Sequence, residues 1–454
     1  MDEARRKRVR AQRSRGRGTS KVDWISDLPD SLLCQVLLNL TTKDVVRTSV
    51  LSKRWGHLWK CVPGLDLGGE DIKQYYKYVI FVDRFLDFNS EYHIESFKLS
   101  YPGDGNCETQ VDLVRRWIRT VVRLGIKHLK FLDYSWGCGT FHLPRSIYTC
   151  KSLVSLKLSC VSMPCLKLVS LPYLRIIELI SVKFADNLDL ETLITSCAAL
   201  EILLIKTNHS DGGIQVSRVR SQSLLSFTHV EENGSAKEDL VIDAPNLEYL
   251  KLKAHQTASV IIKHHGSLVS VDVNFVFNSP FHRRFDPSGL PKRDMIQNLF
   301  VAISRVKSMI ISCGTLKVIY DYARCQPLPL FHNLSFLRVK FYEYLWELLP
   351  TFLESCPNLK SLILESTENL KTKGLSNFSG SQGFLPSLEH IEIKIPLKGF
   401  VMEMKFVNYF LEKSTILKKL TLCLDDSRKT EKSVVVKKLL TIPRLSPSCE
   451  VVIL

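Results

Sequence analysis

The sequence predicts an α/β protein in which a small N-terminal helical module precedes a solenoid of parallel strands. Three observations carry this reading. One apolar phrase recurs a dozen times between Ile94 and Leu422. The segments between its copies place apolar residues at helical spacing. The stretch 22–67 has helical spacing throughout, interrupted by residues that cap helices. Composition agrees: 454 residues, 45% hydrophobic and 24% charged, suit a folded chain with a sizeable core. No run of about 18 uncharged apolar residues exists, so no membrane-spanning helix is expected. The N-terminus has no apolar core of the kind a secretory signal needs.

Charge is unevenly placed. Of the net +16, +7 sits in residues 1–21, where Arg5, Arg6, Lys7, Arg8, Arg10, Arg13, Arg15, Arg17 and Lys21 face only Asp2 and Glu3. Such a segment cannot bury enough apolar surface to offset its ordering entropy, so a disordered basic tail is expected. Arg5 to Arg8 is similar to a nuclear-import cluster, which points to the nucleus, the cytoplasm or both. The alternative is a solvated charged tail. No aromatic residue is interleaved with the arginines, so nucleic acid is not the expected partner.

Within 22–67, Pro29 suits the first turn of a helix that carries Leu32, Leu33, Val36, Leu37 and Leu40. Thr41 and Thr42 can cap a second helix with Val45, Val46 and Val50, and Ser52 a third with Trp55, Leu58 and Trp59. Three helices in so few residues lack a sufficient core. Their apolar faces should be completed by another surface.

Leu28-Pro29-Asp30, Leu32-Leu33, Thr41-Thr42-Lys43-Asp44, and Ser52-Lys53-Arg54-Trp55 with Leu58-Trp59 stand in an order that resembles an F-box. The resemblance implies docking on the Skp1-type adaptor of a cullin ubiquitin ligase. It implies adaptor contacts from Leu28, Pro29, Leu32, Leu33, Leu37 and Val50. Trp55, Leu58 and Trp59 are expected to pack the module against the rest of the chain.

In 68–380 the phrase is apolar-x-x-apolar-x-apolar. It occurs at Ile94/Phe97/Leu99, Ile126/Leu129/Phe131, Leu153/Leu156/Leu158, Leu174/Ile177/Leu179 and Leu200/Leu203/Ile205. It continues at Leu247/Leu250/Leu252, Leu268/Val271/Val273, Val306/Met309/Ile311, Leu334/Leu337/Val339 and Leu359/Leu362/Leu364, with a weaker copy near Leu224 and Phe227. The last two positions point to one side of a short strand. One unit cannot bury them alone; stacked units make a parallel sheet and a shared core. This is an irregular leucine-rich-repeat solenoid, with helices expected over 112–124 and 293–306. The insert 275–292 reads as a loop.

Cys150, Cys197 and Cys356 each precede a repeat by three residues, as small buried side chains at a turn would. Among the 13 cysteines there is no C-x-x-C pair, and the 12 histidines make no H-x3-H, so no metal site or cofactor is expected. Residues between the inward positions should line the concave face. These are Lys98, Lys130 and Lys157 with His128 early, then Ile202, Leu204 and Tyr249, then Phe336, Arg338 and Ile363. A basic end beside an apolar stretch suits a target with acidic and apolar groups. Lateral packing is the other reading.

The phrase returns at Leu388/Ile391/Ile393 and Leu417/Leu420/Leu422, with a helix expected over 402–413 between them and a charged turn and basic helix after. Arrays need atypical terminal units, and 381–454 fits that role. Leu385-Pro386-Ser387-Leu388, the Phe406–Leu411 helix and Ser446-Pro447-Ser448-Cys449-Glu450-Val451 are similar to the FBD region of plant F-box proteins. Together the resemblances imply a non-catalytic substrate-recognition subunit of a Skp1–cullin–F-box ubiquitin ligase. Its expected partners are a Skp1-type adaptor, through it a cullin, and an unidentified target, with no membrane. The alternative is an interaction scaffold without ligase function. No Gly-rich phosphate loop, G-x-S-x-G or paired carboxylate setting suggests an enzyme.

Overall fold

A computed structural model describes residues 24–25, 27–67, 75–88, 94–101, 108–134, 141–165, 168–208, 216–232, 239–255, 259–276, 290–343, 346–371, 383–424, 435–439 and 441–454. The basic tail, residues 277–289 of the insert and the charged turn 425–429 lie outside the described residues.

Helices α1 (Asp30–Leu37), α2 (Thr42–Arg47) and α3 (Trp55–Cys61) form the N-terminal module. Thr41 caps α2, its Oγ1 accepting the Asp44 N–H at 3.3 Å. Ser52 Oγ accepts the Trp55 N–H at 3.5 Å. The module has its own small core of Leu33, Cys34, Leu37, Val45, Trp55, Leu58 and Val62, with Leu28, Leu38 and Trp59 packed against it. Trp55 and Leu58, expected to bind the module to the rest of the chain, lie in that core instead. Trp59 does reach the junction, beside Val62, Leu65 and Phe85.

The rest of the chain is organised on one 15-stranded sheet in the order β1-β2-β3-β4-β5-β6-β8-β10-β12-β13-β14-β15-β16-β17-β18, every pair parallel. Its strands begin with β1 (Gly64–Leu67), β2 (Ser96–Tyr101), β3 (His128–Asp133), β4 (Ser155–Ser159), β5 (Ile176–Ile180) and β6 (Ile202–Asn208). Next come β8 (Ser226–Glu232), β10 (Tyr249–His255), β12 (Ser270–Val276), β13 (Ser308–Ser312) and β14 (Phe336–Glu343). The sheet closes with β15 (Ser361–Lys371), β16 (His390–Leu397), β17 (Lys419–Leu424) and β18 (Glu450–Ile453). The last two apolar positions of each copy of the sequence phrase lie on one of these strands.

Register makes the core continuous. Leu65, Phe97, Leu129, Leu156, Ile177, Leu203, Phe227, Leu250, Val271, Met309, Leu337, Leu362, Ile391, Leu420 and Val451 lie side by side across the sheet. The strands are held at their entry by a shared acceptor. The Lys127 and His128 N–H groups both donate to the Glu95 carbonyl, Val154 and Ser155 to Lys127, and Arg175 and Ile176 to Val154. The same step continues through Lys418 and Lys419, which donate to Glu389. A turn precedes it, in which the first apolar N–H donates three residues back: Leu153 to Cys150, Leu200 to Cys197, Leu359 to Cys356.

Helices Tyr75–Phe88, Glu108–Arg123, Asn187–Thr195, Leu290–Ile303, Cys313–Ala323 and Leu349–Leu353 run between strands; the second and fourth lie near the two positions expected, and the others were not predicted. Between β6 and β12 short strands take over that role: β7 (Arg218–Arg220), β9 (Leu240–Asp243) and β11 (Val260–Ile262) form a second parallel sheet. The ends of the expected insert are regular, since Phe275 and Val276 belong to β12 and 290–292 to the following helix.

One boundary differs from the sequence reading. Residues 64–67, placed within the helical module, are the first strand of the sheet. The junction is close: Thr42 Oγ1 accepts the Asp66 N–H at 2.7 Å, and a Cβ on Gly64 would collide with the Leu38 Cδ1 atom. Gly64→Val is therefore expected to destabilise the chain by about 2 kcal/mol through overpacking. Denaturant unfolding followed at the module tryptophans checks this, and an unchanged midpoint would show that the junction yields.

Candidate functional sites on the helical module and the concave sheet face

Helix α1 is apolar on two sides. Leu33 and Leu37, four residues apart, are 1% and 2% exposed. Leu32 and Val36, one position earlier in each turn, are 49% and 57% exposed, and Leu40 follows just beyond the helix. Val50 at 85%, Leu51 at 65%, Trp24 and Ile25 are also exposed. Neither the sheet nor the module covers these groups. Leu33 and Leu37, also expected to touch an adaptor, are buried in the module's own core. Leu32 and Val50 are exposed as expected, Pro29 is exposed, and Leu28 is half-buried.

Arg54 gives that surface a fixed edge. Its Nε donates to Asp30 Oδ1 at 2.7 Å and its Nη2 to the Leu28 carbonyl oxygen. One side chain from the entry of α3 thus holds the Leu28-Pro29 turn against the start of α1. A charge-assisted, two-point clamp of this kind sets orientation as well as proximity.

On the sheet, the row that faces away from the core begins Asp66, Lys98, Lys130, Lys157, Glu178, Leu204. The structure brings the three predicted lysines together on β2, β3 and β4. Asp66 pairs with Lys98 at 2.9 Å and Glu178 with Lys157 at 2.8 Å. Lys130 is exposed between them. His128 flanks it, held below the usual imidazole range chiefly by burial. A cleft of ≈ 640 Å³ opens here, with Lys98, His128, Lys130, Tyr134 and Lys157 on the sheet side and Leu38, Asn39 and Thr41 of the module opposite.

The other predicted surface residues lie elsewhere. Tyr249 on β10 is four strands beyond Lys157, roughly 19 Å at ordinary strand spacing. Phe336 and Arg338 share β14, three strands further on. The Arg338 guanidinium lies 5.9 Å from the Phe336 ring centroid and 4.0 Å from Glu365. Ile363 is next to Arg338 in register. The sequence reading missed Asp66, Glu178 and Tyr134, and on the module Val36, Leu40, Leu51 and Arg54.

The turn cysteines are packing groups. Cys197 is 1% exposed and burial pushes its thiol up to about 12; Cys356 is raised by the same cause. Alkylation at pH 8 is therefore expected to spare Cys197 and Cys356 in the native chain and modify both in denaturant. Mass spectrometry of the digested product checks it, and rapid native labelling of Cys197 would refute it.

A helical module with an open apolar side, joined to a solenoid that displays its strands, defines a modular interaction protein. Comparison with known proteins gives its family. Residues 25–65 match the F-box domain. Residues 114–271 match "FBD-associated F-box protein At5g56370, LRR repeats", and residues 379–422 match the FBD. The chain is 54% identical to "F-box/LRR-repeat protein 13" and 52% identical to "F-box/FBD/LRR-repeat protein At1g78750", both from Arabidopsis thaliana. Each alignment covers 100% of both chains. It belongs to the plant F-box/FBD/LRR-repeat family, and its domain set is that of an F-box adaptor protein.

Proposed function

We propose that this chain is the substrate-recognition subunit of a Skp1–cullin–F-box ubiquitin ligase. The module holds the Skp1-type adaptor and the concave sheet face holds a target protein. The observation that carries the reading is the exposed apolar surface of Leu32, Val36, Val50 and Leu51 on a module whose own core is already filled. An apolar surface of that kind on a soluble chain marks a protein interface. The match of residues 25–65 to the F-box domain supports the same assignment.

The mechanism is proximity. Holding adaptor and target on one chain makes target modification effectively intramolecular and raises its local concentration near the ubiquitin-charged enzyme. No side chain of this chain need touch the reacting bond. The test is co-expression of the full chain with a plant Skp1-type adaptor, followed by purification on the chain's tag. Stoichiometric recovery of adaptor supports the assignment, and its absence beside a control F-box protein overturns it. Target lifetime in wild type against Leu28→Ala/Pro29→Ala then separates ligase subunit from scaffold: equal lifetimes mean a scaffold.

A further inference from the structure

We propose that the Lys130 end of the concave face seats an extended polypeptide segment of the target, with a carboxylate on Lys130 and an aliphatic side chain on Ile202 and Leu204 about four residues away. This rests on the target-binding reading above and specifies its chemistry. Three lysines in consecutive register stand about 4.8 Å apart at the backbone, an arrangement of like charges that costs free energy. The outer two are neutralised from outside, Lys98 by Asp66 and Lys157 by Glu178. Lys127, just before β3, pairs with Glu95 at 2.7 Å. Among the described residues no carboxylate lies within ion-pair distance of Lys130. Among the described residues the row therefore presents one positive charge without an ion-pair partner.

The cleft around it is of ligand-binding size at ≈ 640 Å³. Two strands beyond Lys130 the chemistry changes. Ile176 and Ile180 on β5 are half-buried, and on β6 Ile202 is 41% exposed beside half-buried Leu204. Ile176 and Ile202 are neighbours in register, and Leu204 follows Glu178 in the lysine row. From β3 to β6 is three strand steps, roughly 14 Å, which an extended chain crosses in about four residues. Residues i and i+4 of such a chain share a face. An acidic residue on Lys130 thus places an aliphatic residue four positions on over Ile202 and Leu204.

Polypeptide is favoured over nucleic acid by the same row. Asp66 and Glu178 flank the lysines and would repel a continuous phosphate backbone, while a single carboxylate fits between them.

A random dodecapeptide library displayed on phage is panned against the immobilised full chain. Selected sequences are expected to carry Asp or Glu four residues from Leu, Ile or Val. A synthetic copy is expected to bind about tenfold or more weakly to Lys130→Glu and to Ile202→Asp. Changing the peptide's acid to Lys should restore binding to Lys130→Glu. Failure to enrich any peptide, enrichment of peptides without an acid, or equal binding to Lys130→Glu would overturn the proposal. Adaptor recovery by the same preparation is scored separately. Loss of the peptide site therefore leaves the adaptor assignment standing, and the reverse holds too.

Discussion

Val50→Asp/Leu51→Asp is expected to abolish adaptor capture while the chain stays folded. Both side chains are more than half exposed, so the fold gains little from them. Covering two aliphatic side chains is worth about 1.5–3 kcal/mol each, and an aspartate buried without a partner adds a further cost. A loss of about 4 kcal/mol or more follows, roughly a thousandfold in affinity. Titration calorimetry with purified adaptor measures it, and circular dichroism confirms the fold. Leu33→Asp should behave differently: it also loses the adaptor, but only because the module core is destroyed. Retained affinity in Val50→Asp/Leu51→Asp would remove this surface from the interface.

Glu403→Ala is expected to have the largest effect on the solenoid. Helix α4 (Val401–Lys413) lies between β16 and β17, and Glu403 in its first turn is fully buried. Its Oε2 accepts from the backbone N–H of Lys398 at 2.8 Å, Gly399 at 2.7 Å and Phe400 at 3.0 Å. Burial outweighs these donors and holds the carboxyl above its ordinary range. The turn it closes has Gly399 at φ +83°, where a Cβ would also strike Val435. Alanine removes the shared charged acceptor of the Lys398, Gly399 and Phe400 N–H groups, a cost of about 3 kcal/mol. In a repeat array the damage stays local. Amide exchange in β16, β17 and β18 should accelerate roughly a hundredfold, with β2 to β6 unchanged. Glu403→Gln keeps an acceptor oxygen in place and should lose much less. Unaltered exchange in Glu403→Ala would mean that the cap does not depend on this carboxylate.

What could be read from the sequence follows from what burial does to a pattern. Strands with two inward aliphatic groups stood out, because each repeats the same rung. β8 was weak because His229 occupies the second rung, below Phe227 and nearly parallel to its ring. Val62, Leu65 and Leu67 carry the same phrase on β1, yet adjoin α3 and so were read with the helices. β18 has Ser448 in place of the first apolar residue. The strands β7, β9 and β11 are three or four residues long, too short for periodicity to show.

The module illustrates a different limit. Helix α1 is apolar on two sides, and spacing alone cannot say which stripe meets its own core and which is left for a partner. Leu33 and Leu37 were therefore grouped with Leu32 as adaptor contacts, and Val36 was left out. On the concave face the lysines were legible as a row, but their pairing with Asp66 and Glu178 depends on strand order, which sequence spacing does not fix.

The most direct test is hydrogen exchange on the full chain with and without a purified Skp1-type adaptor. Adaptor binding should slow exchange within residues 24–51, while the strands from Ser96 to Ile453 keep their free-chain rates. Protection appearing on the concave strands instead, or no change within 24–51, would contradict the division of labour between module and solenoid.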